Sequence, residues 1–388
     1  MKTAVTKLVL LLTLFACLAS CRKDELIIPS TDTDTGGGSA NTGPVKGFFL
    51  LNEGNMGSNK STLDYYDYET GVYTKNIYAE RNPGVVKELG DVGNDIQIYG
   101  NKLYAVINCS HFVEVMDIRT AKHIKAVSIP NCRYVVFKDK YAYVSSYAGP
   151  VLIDPNARLG YVARMDTTDL AVIDTCVVGY QPEEMVIVGN KLYVANSGGY
   201  RVPNYDNTVS VIDLARFKEI KKIEVGINLH RMELDRYGNI WVSSRGDYKK
   251  VGSKTYVIDS KTDRVTDVLD LLPNSNMTLC GDSLYVYSTE WSWITNKNTI
   301  TYAIVDTKTK RVVSRNFIRD GTDKTIQIPY GVAVNPDTRE IFVTDAKDYV
   351  TPGTLYCFDP DGKKKWSVTT GDIPAHIAFT YQKLRPLE

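Results

Sequence analysis

Seven short segments of the sequence are rich in side chains that hold ligands without reacting with them. They read NEGNMG (52–57), NCSH (108–111), SSYAG (145–149), NSGGYRVPNYDN (196–207), SRGDYKK (244–250), STEWSWITN (288–296) and DAKDYVT (345–351). Tyrosine and tryptophan rings offer large rigid contact areas, whereas asparagine and serine offer adaptable hydrogen bonds. Arginine adds a bidentate partner for phosphate. This composition is typical of a binding surface.

Side chains that could support catalysis are present, but their spacing identifies no mechanism. Four glutamates could supply carboxylates to an active site: Glu53, Glu183, Glu184 and Glu290. The sequence contains neither a serine-nucleophile elbow nor the Asp-box repeat of sialidases. Scattered histidines, one to a segment, favour hydrogen-bonding roles over metal or cobalt ligation. We therefore predict a non-enzymatic protein with no catalytic residue, no metal site and no required cofactor.

These segments recur because the chain is built from repeats. Six copies of a turn followed by an aromatic residue and valine occur: GNKLYAV (100–106), DKYAYVS (139–145), GNKLYVA (189–195), GNIWVSS (238–244), GDSLYVY (281–287) and TREIFVT (338–344). About 20 residues later, a second apolar run ends in aspartate, at positions 67, 117, 166, 213, 259, 306 and 359. These aspartates are separated by 50, 49, 47, 46, 47 and 53 residues. A sustained period of this length indicates a repeat architecture.

Each repeat reads as four antiparallel β-strands, the unit of a propeller blade. The LYVA-type strand is apolar on both alternations, which is expected of a strand packed between two neighbouring sheets. IPAHIAF (373–379) has the pattern of a first strand but no second strand follows it. GFFLLNE (47–53) has the pattern of a second strand but no first strand precedes it. Joining the two chain ends completes one blade. The sequence therefore predicts an all-β, seven-bladed β-propeller over residues 46–380, followed by a short tail, 381–388.

Propeller topology gathers the seven segments and the entries of the first strands on one face, around the central channel. Tight Gly/Asn turns, which hold strand register, occupy the other face. We predict ligand-binding residues on the first face only: Asn94, Asn108, His111, Arg133, Tyr134, Tyr147, Asn196, Tyr200, Arg201, Tyr205, His230, Arg231, Arg245, Tyr248, Asn276, Trp291, Trp293, Tyr330, Tyr349 and His376.

The N-terminus has the pattern of an export signal. Lys2 and Lys7 precede the apolar run 8–18, which is too short to span a bilayer permanently, and the following LASC (18–21) resembles a bacterial lipobox. We expect a signal peptide over 1–20, lipidation of Cys21 and attachment to the membrane by the lipid alone. Residues 21–45, including TDTDTGGGSANTG (31–43), then predict a flexible tether with a reach of roughly 25–30 Å.

The charge balance of the chain bears on its partners, and its cysteines bear on disulfide formation. Without residues 1–20 the chain has 44 basic residues, 46 minus Lys2 and Lys7, against 45 acidic residues. This balance argues against nucleic acid as a partner, which needs a basic face. An exported protein can form disulfides. Cys109 and Cys132 belong to consecutive blades on the same face, so a bridge between them is reasonable.

The LYVAN and YVID repeats resemble the YVTN-type bacterial propellers. The opening LLNEGNMGSNKSTLDYYDYETG (50–71) and the closing GTLYCFDPDGKKKWSVTTGDIPAHIAF (353–379) resemble, more specifically, the BtuG-like surface lipoproteins of gut Bacteroidetes. This resemblance implies binding of cobalamin or another corrinoid and transfer of that ligand to a TonB-dependent outer-membrane vitamin B12 transporter. The acidic Asp24 and Glu25 after Cys21 resemble the signal for export to the outer face of the outer membrane. The alternatives are an adhesion or glycan-binding scaffold and a metal-dependent propeller hydrolase.

Overall fold

The computed structural model describes residues 29–38, 43–85, 88–292 and 297–387. Within these residues, seven antiparallel sheets form the blades of a β-propeller, which confirms the predicted fold class. In six blades the strand that comes first in the sequence lies innermost and successive strands pair outward, whereas in the remaining blade the last strand of the chain takes the innermost place. No helix among the described residues combines the length and the apolar character needed to cross a membrane.

We number the blades from the one that joins the two chain ends. Blade I contains β1 (Thr31–Asp34), β2 (Gly47–Asn52), β3 (Thr62–Asp67), β4 (Val72–Lys75) and β29 (Pro374–Thr380). Blade II contains β5 (Gly93–Tyr99), β6 (Lys102–Ile107), β7 (Phe112–Asp117) and β8 (His123–Ser128). Blade III contains β9 (Cys132–Lys138), β10 (Tyr141–Ser146), β11 (Tyr161–Asp166) and β12 (Val172–Val177). Blade IV contains β13 (Pro182–Val188), β14 (Lys191–Asn196), β15 (Thr208–Asp213) and β16 (Lys218–Glu224). Blade V contains β17 (Leu229–Leu234), β18 (Asn239–Ser244), β19 (Lys254–Asp259) and β20 (Arg264–Leu269). Blade VI contains β21 (Asn276–Cys280), β22 (Ser283–Ser292), β23 (Lys297–Asp306) and β24 (Arg311–Ser314). Blade VII contains β25 (Pro329–Val334), β26 (Ile341–Asp345), β27 (Pro352–Phe358) and β28 (Lys364–Asp372). A short helix, α1 (Ile77–Arg81), follows β4, and a 3-10 turn (Thr322–Lys324) precedes β25.

The hydrophobic core is a ring of layers between neighbouring blades. Strand β14 shows how the sequence produces this arrangement, because both of its faces are apolar. Leu192 and Val194 pack against blade III, whereas Tyr193 and Ala195 pack against blade V. All four side chains are fully buried. The predicted double-sided burial of the LYVA-type strand is therefore confirmed.

The ring closes through the pairing of the two chain ends. Strand β2 pairs antiparallel with β29 from Gly47↔Thr380 to Asn52↔Pro374. Phe48 stacks at 5.1 Å on Tyr66 and meets Phe342 of blade VII edge-on at 5.0 Å. The closing blade thus packs against blade VII through buried aromatic side chains.

The aspartates that end the third strands cap the turns that follow them. Asp259 Oδ1 accepts the Lys261 N–H at 2.7 Å, and Asp166 Oδ1 accepts the Thr168 N–H at 2.7 Å. Backbone hydrogen bonds of this kind lower the pKa of both carboxyls, so each remains an acceptor. The repeated aspartate therefore has a structural role in the turns.

The expected disulfide between Cys109 and Cys132 is not formed. Both residues are free thiols in the structure. Cys132 is buried, and its Sγ lies 3.3 Å from the carbonyl oxygen of Phe112, whereas Cys109 Sγ contacts Asn108 Oδ1 at 3.4 Å. Each thiol thus contacts an oxygen atom beside it, and burial raises the pKa of both thiols.

The segment 29–38 differs from the predicted flexible tether. Its residues Thr31–Asp34 form β1, which pairs antiparallel with β4 as a fifth, outermost strand of blade I. Two glycines of this segment, Gly37 and Gly38, are required by close approach. A Cβ on Gly37 would lie 2.7 Å from Trp366 Nε1, and a Cβ on Gly38 would lie 2.6 Å from the backbone carbon of Thr70. The predicted signal peptide and Cys21 lie outside the described residues.

Substitution of Gly38 tests whether this segment is docked. We expect Gly38→Val to release residues 29–38, because the new side chain meets the backbone of Thr70. The reporter is hydrogen exchange at the Thr35 amide, which donates to the Gly71 carbonyl at 3.0 Å. Its protection should fall at least about tenfold. Gly252→Val is the control, because a Cβ there meets no atom within 4 Å. Equal protection in both variants would contradict the docking.

Candidate ligand-binding face

One end of the propeller carries the loops that leave the second strands and the entries of the innermost strands. We call this end the loop face; it includes residues 53–61, 108–111, 147–160, 197–207, 245–253 and 346–351 and the projecting hairpin β22–β23. We call the opposite end, with the tight turns, the turn face. All predicted binding residues except Trp293 lie on or just below the loop face. Trp293 lies outside the described residues.

A buried carboxylate organises the centre of the loop face. Glu183, at the entry of β13, is fully buried and accepts two hydrogen bonds from Arg133, both at 3.0 Å. Its other oxygen accepts hydrogen bonds from Arg245 at 3.2 Å and from the Tyr147 hydroxyl at 2.5 Å. Burial alone would raise the pKa of Glu183, but the two guanidinium groups outweigh burial and lower it. The carboxylate therefore stays ionised and holds both arginines in place.

Aromatic rings lie against Arg133 and against another arginine of the mouth, Arg231. The Arg133 guanidinium lies 4.9 Å from the ring centroid of Tyr147, and Arg231 lies 5.2 Å from that of Tyr134. The Tyr134 hydroxyl is hydrogen-bonded to His230 Nε2 at 2.9 Å. Burial, aided by the nearby arginines, lowers the pKa of His230 well below its ordinary value. The imidazole is therefore neutral at physiological pH.

A second carboxylate, Glu53, links side chains on the other side of the channel mouth. The Tyr330 hydroxyl donates to Glu53 Oε2 at 2.7 Å, and His376 Nε2 lies 3.7 Å from Glu53 Oε1. Tyr349 meets the Tyr330 ring edge-on at 5.9 Å. The His376 ring lies 6.4 Å from that of Tyr134. The two carboxylate clusters thus form one continuous network around the mouth.

The loops around this network expose apolar side chains to solvent. The most exposed are Ile153 at 70%, Val350 at 66%, Met56 at 64%, Tyr248 at 61%, Trp291 at 50%, Leu152 at 49%, Val251 at 42%, Leu159 at 41%, Tyr349 at 40% and Tyr200 at 37%. Met56 also lines a cleft of about 370 Å³ between blades II and III, together with His111 and Arg158. An apolar rim around a polar centre is an arrangement found at interaction sites.

Four predicted asparagines serve the fold instead of the surface. Asn196 is fully buried, and its amide bonds to Thr208, Ser210 and the Gly179 N–H. The other three are also buried, and each donates to a backbone carbonyl of the next blade: Asn94 to Arg133, Asn108 to Cys132 and Asn276 to Tyr330. Their amides therefore tie blades together.

The remaining predicted residues lie at the margin of the network. Arg201 covers the ring of Tyr180 at 3.5 Å and donates to the Asn204 carbonyl at 2.8 Å. Tyr205, in the same loop, is partly buried. His111 Nδ1 accepts the Asn131 N–H at 3.2 Å. These side chains shape their own loops beside the exposed rim.

The prediction omitted the carboxylates that organise the mouth. The sequence offers Glu53 and Glu183 as carboxylates for an active site, whereas in the structure they hold arginines and tyrosines in position. Tyr287, whose hydroxyl donates to the Tyr330 carbonyl, was also missed. The sequence does contain a signal for this pairing. Glu183 and Arg133 are each the second residue of the innermost strand of their blade, so they lie at the same level of the channel.

Three more carboxyl groups lie deeper on the inner strands. Asp95 accepts the Val135 N–H of the next blade at 3.0 Å, and Glu184 accepts the Met232 N–H of the next blade at 2.6 Å. Burial raises the pKa of Asp95 to about 7 and that of Glu233 to about 8. Burial also raises the pKa of Glu184, although Arg231 opposes this effect. Within the described residues, no three His, Cys, Asp or Glu side chains converge to hold a metal ion.

Neighbouring glutamates provide a matched test of the Glu183 cluster. We expect Glu183→Gln to lower the free energy of unfolding by about 3 kcal/mol or more, because two partly buried arginines lose their buried counter-charge. Glu184→Gln should cost less than about 1 kcal/mol, since its pKa is already raised and an amide oxygen can still accept the Met232 N–H. Urea unfolding measures both values. Equal losses would contradict the assigned role of Glu183.

Glu233 should make stability depend on pH. Its pKa is raised from 4.5 to about 8 in the folded protein, so its contribution is fully present below pH 4.5 and is lost as pH rises towards 8. The loss is at most about 1.4 kcal/mol for each pH unit. Glu233→Gln should flatten the fall in urea midpoint between pH 5 and pH 8. An unchanged slope in this variant would contradict the shift.

Comparison with known proteins defines the family and the fold. No curated protein matches the chain. Hydrazine synthase of Kuenenia stuttgartiensis shares 17% identity at a TM-score of 0.55, over 69% of this chain and 77% of that chain. A quinoprotein alcohol dehydrogenase-like protein of Bacteroides thetaiotaomicron shares 16% identity at a TM-score of 0.57, over 87% of this chain and 79% of that chain. At such identities the likeness concerns the fold alone. The family model described as a domain of unknown function, DUF5074, matches residues 46–379, and the chain therefore belongs to that family.

Proposed function

We propose that the protein is a non-enzymatic surface lipoprotein that binds cobalamin or a related corrinoid on its loop face. It would then pass the ligand to a TonB-dependent transporter in the outer membrane. The observation that carries this proposal is the rim of exposed aromatic and apolar side chains around a rigid polar mouth. The resemblance of the terminal motifs to corrinoid-binding lipoproteins supports the choice of ligand class.

The chemistry of a corrinoid matches this surface. The ligand is a broad macrocycle with apolar faces, a rim of carboxamides and one phosphodiester. Tyr248, Trp291 and Tyr349 can cover an apolar face, because their rings are rigid and at least 40% exposed. Backbone groups and hydroxyls of the loops can pair with the carboxamides.

Arg231 suits the phosphodiester. Its side chain is buried, and its Nε has no hydrogen-bond acceptor among the described residues. Its Nη1 lies 3.5 Å from Glu184 Oε1, a long contact to a carboxyl whose pKa is raised. An anionic oxygen reaching Nε would therefore satisfy a buried donor.

The proposal includes attachment through Cys21 and export to the cell surface. Both follow from the lipobox-like LASC and the acidic residues after it. Metabolic labelling with a fatty acid, compared between the natural chain and Cys21→Ser, tests the lipidation.

Calorimetry with cyanocobalamin and with cobinamide tests the binding. We expect Tyr248→Ala to weaken cyanocobalamin binding about tenfold, through loss of stacking area. Tyr381→Ala on the turn face is the matched control, because its ring is 58% exposed against 61% for Tyr248. Arg231→Lys should weaken binding of cyanocobalamin more than that of cobinamide, which lacks the phosphodiester.

Absence of heat and of ligand retention with both corrinoids would refute the proposal. Equal effects of Tyr248→Ala and Tyr381→Ala would refute the loop face as the site. Binding to a glycan array without corrinoid binding would favour the adhesion alternative.

A further inference from the structure

Blade VI lacks an outer strand along most of its third strand. In blade IV, by contrast, the outer strand β16 pairs with β15 over its whole length. In blade VI, β23 runs from Lys297 to Asp306, but β24 pairs only with the last three residues, from Ile304 onward. Among the described residues, the outer edge of β23 from residue 297 to residue 303 therefore has no partner strand in its sheet.

The backbone groups of Ile300 and Tyr302 point outward along this edge. The Thr307 N–H donates to the Asp282 carbonyl at 2.8 Å, and bonded pairs alternate with non-bonded pairs along an antiparallel ladder. In the register of β22 and β23, Ile300 and Tyr302 therefore belong to pairs that do not exchange hydrogen bonds. Their N–H and C=O groups face away from β22, where the residues that the structure describes supply no backbone partner.

A buried phenylalanine directs the following chain away from this edge. Phe317 packs edge-on against Tyr302 at 5.2 Å and against Tyr285 at 5.5 Å, in the layer between blades VI and VII. Two residues later, the Arg319 N–H donates to the Gly362 carbonyl of blade VII at 2.8 Å. Residues 315–319 therefore pass to the outer turn of blade VII instead of continuing β24 toward the loop face.

A cleft of about 400 Å³ lies beside the uncovered edge, on the side away from the channel. It is lined by the edge from Ile300 to Ala303, by Leu271 and Leu272 of the connection from blade V, and by the chain that follows β24. Tyr302 is only 6% exposed, yet its hydroxyl has no hydrogen-bond partner within the described residues. The cleft has the volume of a ligand site and holds polar groups that a ligand can satisfy.

The lining combines apolar surface with unpaired positive charge. The Leu271 side chain is 79% exposed. Arg315 donates to the Leu271 carbonyl at a long 3.4 Å, and neither Arg315 nor Lys324 forms an ion pair with a described residue. Asp323, which also lines the cleft, accepts the Asn316 amide at 3.1 Å. A carboxylate on a ligand can therefore pair with either cation while an apolar side chain covers Leu271.

We propose that the outer edge of β23 binds an extended peptide segment of another polypeptide, which carries an acidic side chain toward Arg315 and Lys324. Main-chain hydrogen bonds to Ile300 and Tyr302 complete the blade, as in other cases of strand addition to an exposed sheet edge. The stretch NTITYA (298–303) contains neither the proline nor the charged residue that usually protects an edge from pairing.

A second copy of the chain is a poor occupant. Its own β23 edge lies along an identical cleft, so the two edges cannot meet without the walls of both clefts colliding. An extended peptide has no such walls. The inference goes beyond the proposed function, because it requires neither a corrinoid nor a lipid anchor.

Selection from a displayed library of random peptides of about eight residues tests the site. The target is the chain 21–388 with Cys21→Ser, and the counter-target carries Ile300→Pro in addition. Proline removes the outward N–H of residue 300 and is tolerated where that group faces away from the paired strand. We expect enriched peptides to contain Asp or Glu among alternating apolar residues and to bind Ile300→Pro at least about tenfold more weakly in fluorescence anisotropy. Absence of enrichment, or equal binding to both chains, overturns the proposal.

N-methylation of an enriched peptide provides a test that needs no variant of the protein. Alternate N–H groups of an added strand face the edge of β23. Methylation of those amides should lower the affinity at least about tenfold, whereas methylation of the intervening amides should change it less than about twofold. Peptide binding should also slow hydrogen exchange of the Ile300 and Tyr302 amides at least about tenfold. A uniform effect of methylation along the peptide overturns strand addition.

Replacing both cations tests the chemistry of the partner. Arg315→Gln combined with Lys324→Gln should weaken binding of an acidic peptide about fivefold, and should not change binding of the same peptide with its acid replaced by the amide. Arg311→Gln is the control, because Arg311 is exposed at the other end of β24. Equal effects of the control and the double variant overturn the acidic assignment. Self-association in sedimentation that Ile300→Pro abolishes would assign the edge to a second copy and overturn the proposal.

Discussion

Burial of both faces of each second strand is the constraint on which the propeller depends. A strand such as β14 has no polar face to offer water, because Leu192 and Val194 pack on one neighbour and Tyr193 and Ala195 on the other. A single blade cannot satisfy this requirement. Only a closed ring gives every blade two neighbours, which explains why the chain ends must meet in blade I through β2 and β29.

The same ring creates a problem at the channel that buried polar side chains solve. Each innermost strand is the edge strand of its sheet. Its backbone groups on the side of the channel therefore have no partner strand within that sheet. Side chains of the preceding blade reach across to these groups: Asn94 meets the Arg133 carbonyl, Asp95 the Val135 N–H, and Glu184 the Met232 N–H. Polar residues that read as ligand-binding in the sequence thus include several that hold the blades together.

The charged mouth stands on this scaffold and is rigid for the same reason. Arg133 and Arg245 converge on one buried carboxylate, and the rings of Tyr134 and Tyr147 cover the Arg133 guanidinium group. A network whose members are positioned in advance loses little freedom when a ligand binds. The exposed rim can therefore differ between blades without disturbing the centre.

The sequence alone determined the repeat, the strand pattern, the blade count and the face on which the variable loops gather. These features follow from short-range patterns. Apolar runs and turn residues within each repeat indicate the strands, and the regular spacing of the repeats gives the blade count. Individual roles at the face depended on contacts between distant segments. Asn196 and Tyr248 both follow second strands, yet the first is buried in its blade and the second is exposed. Glu183 matters because Arg133 and Arg245 reach it from other blades.

The N-terminal segment shows most clearly what the local sequence cannot predict. TDTDTGGG has the composition of a flexible linker, and nothing within it predicts a strand. Gly37 and Gly38 are needed because Trp366 and the Thr70 backbone lie where side chains would be. Trp366 comes from the last blade and Thr70 from the turn before β4, so only the tertiary structure decided that this segment is a strand.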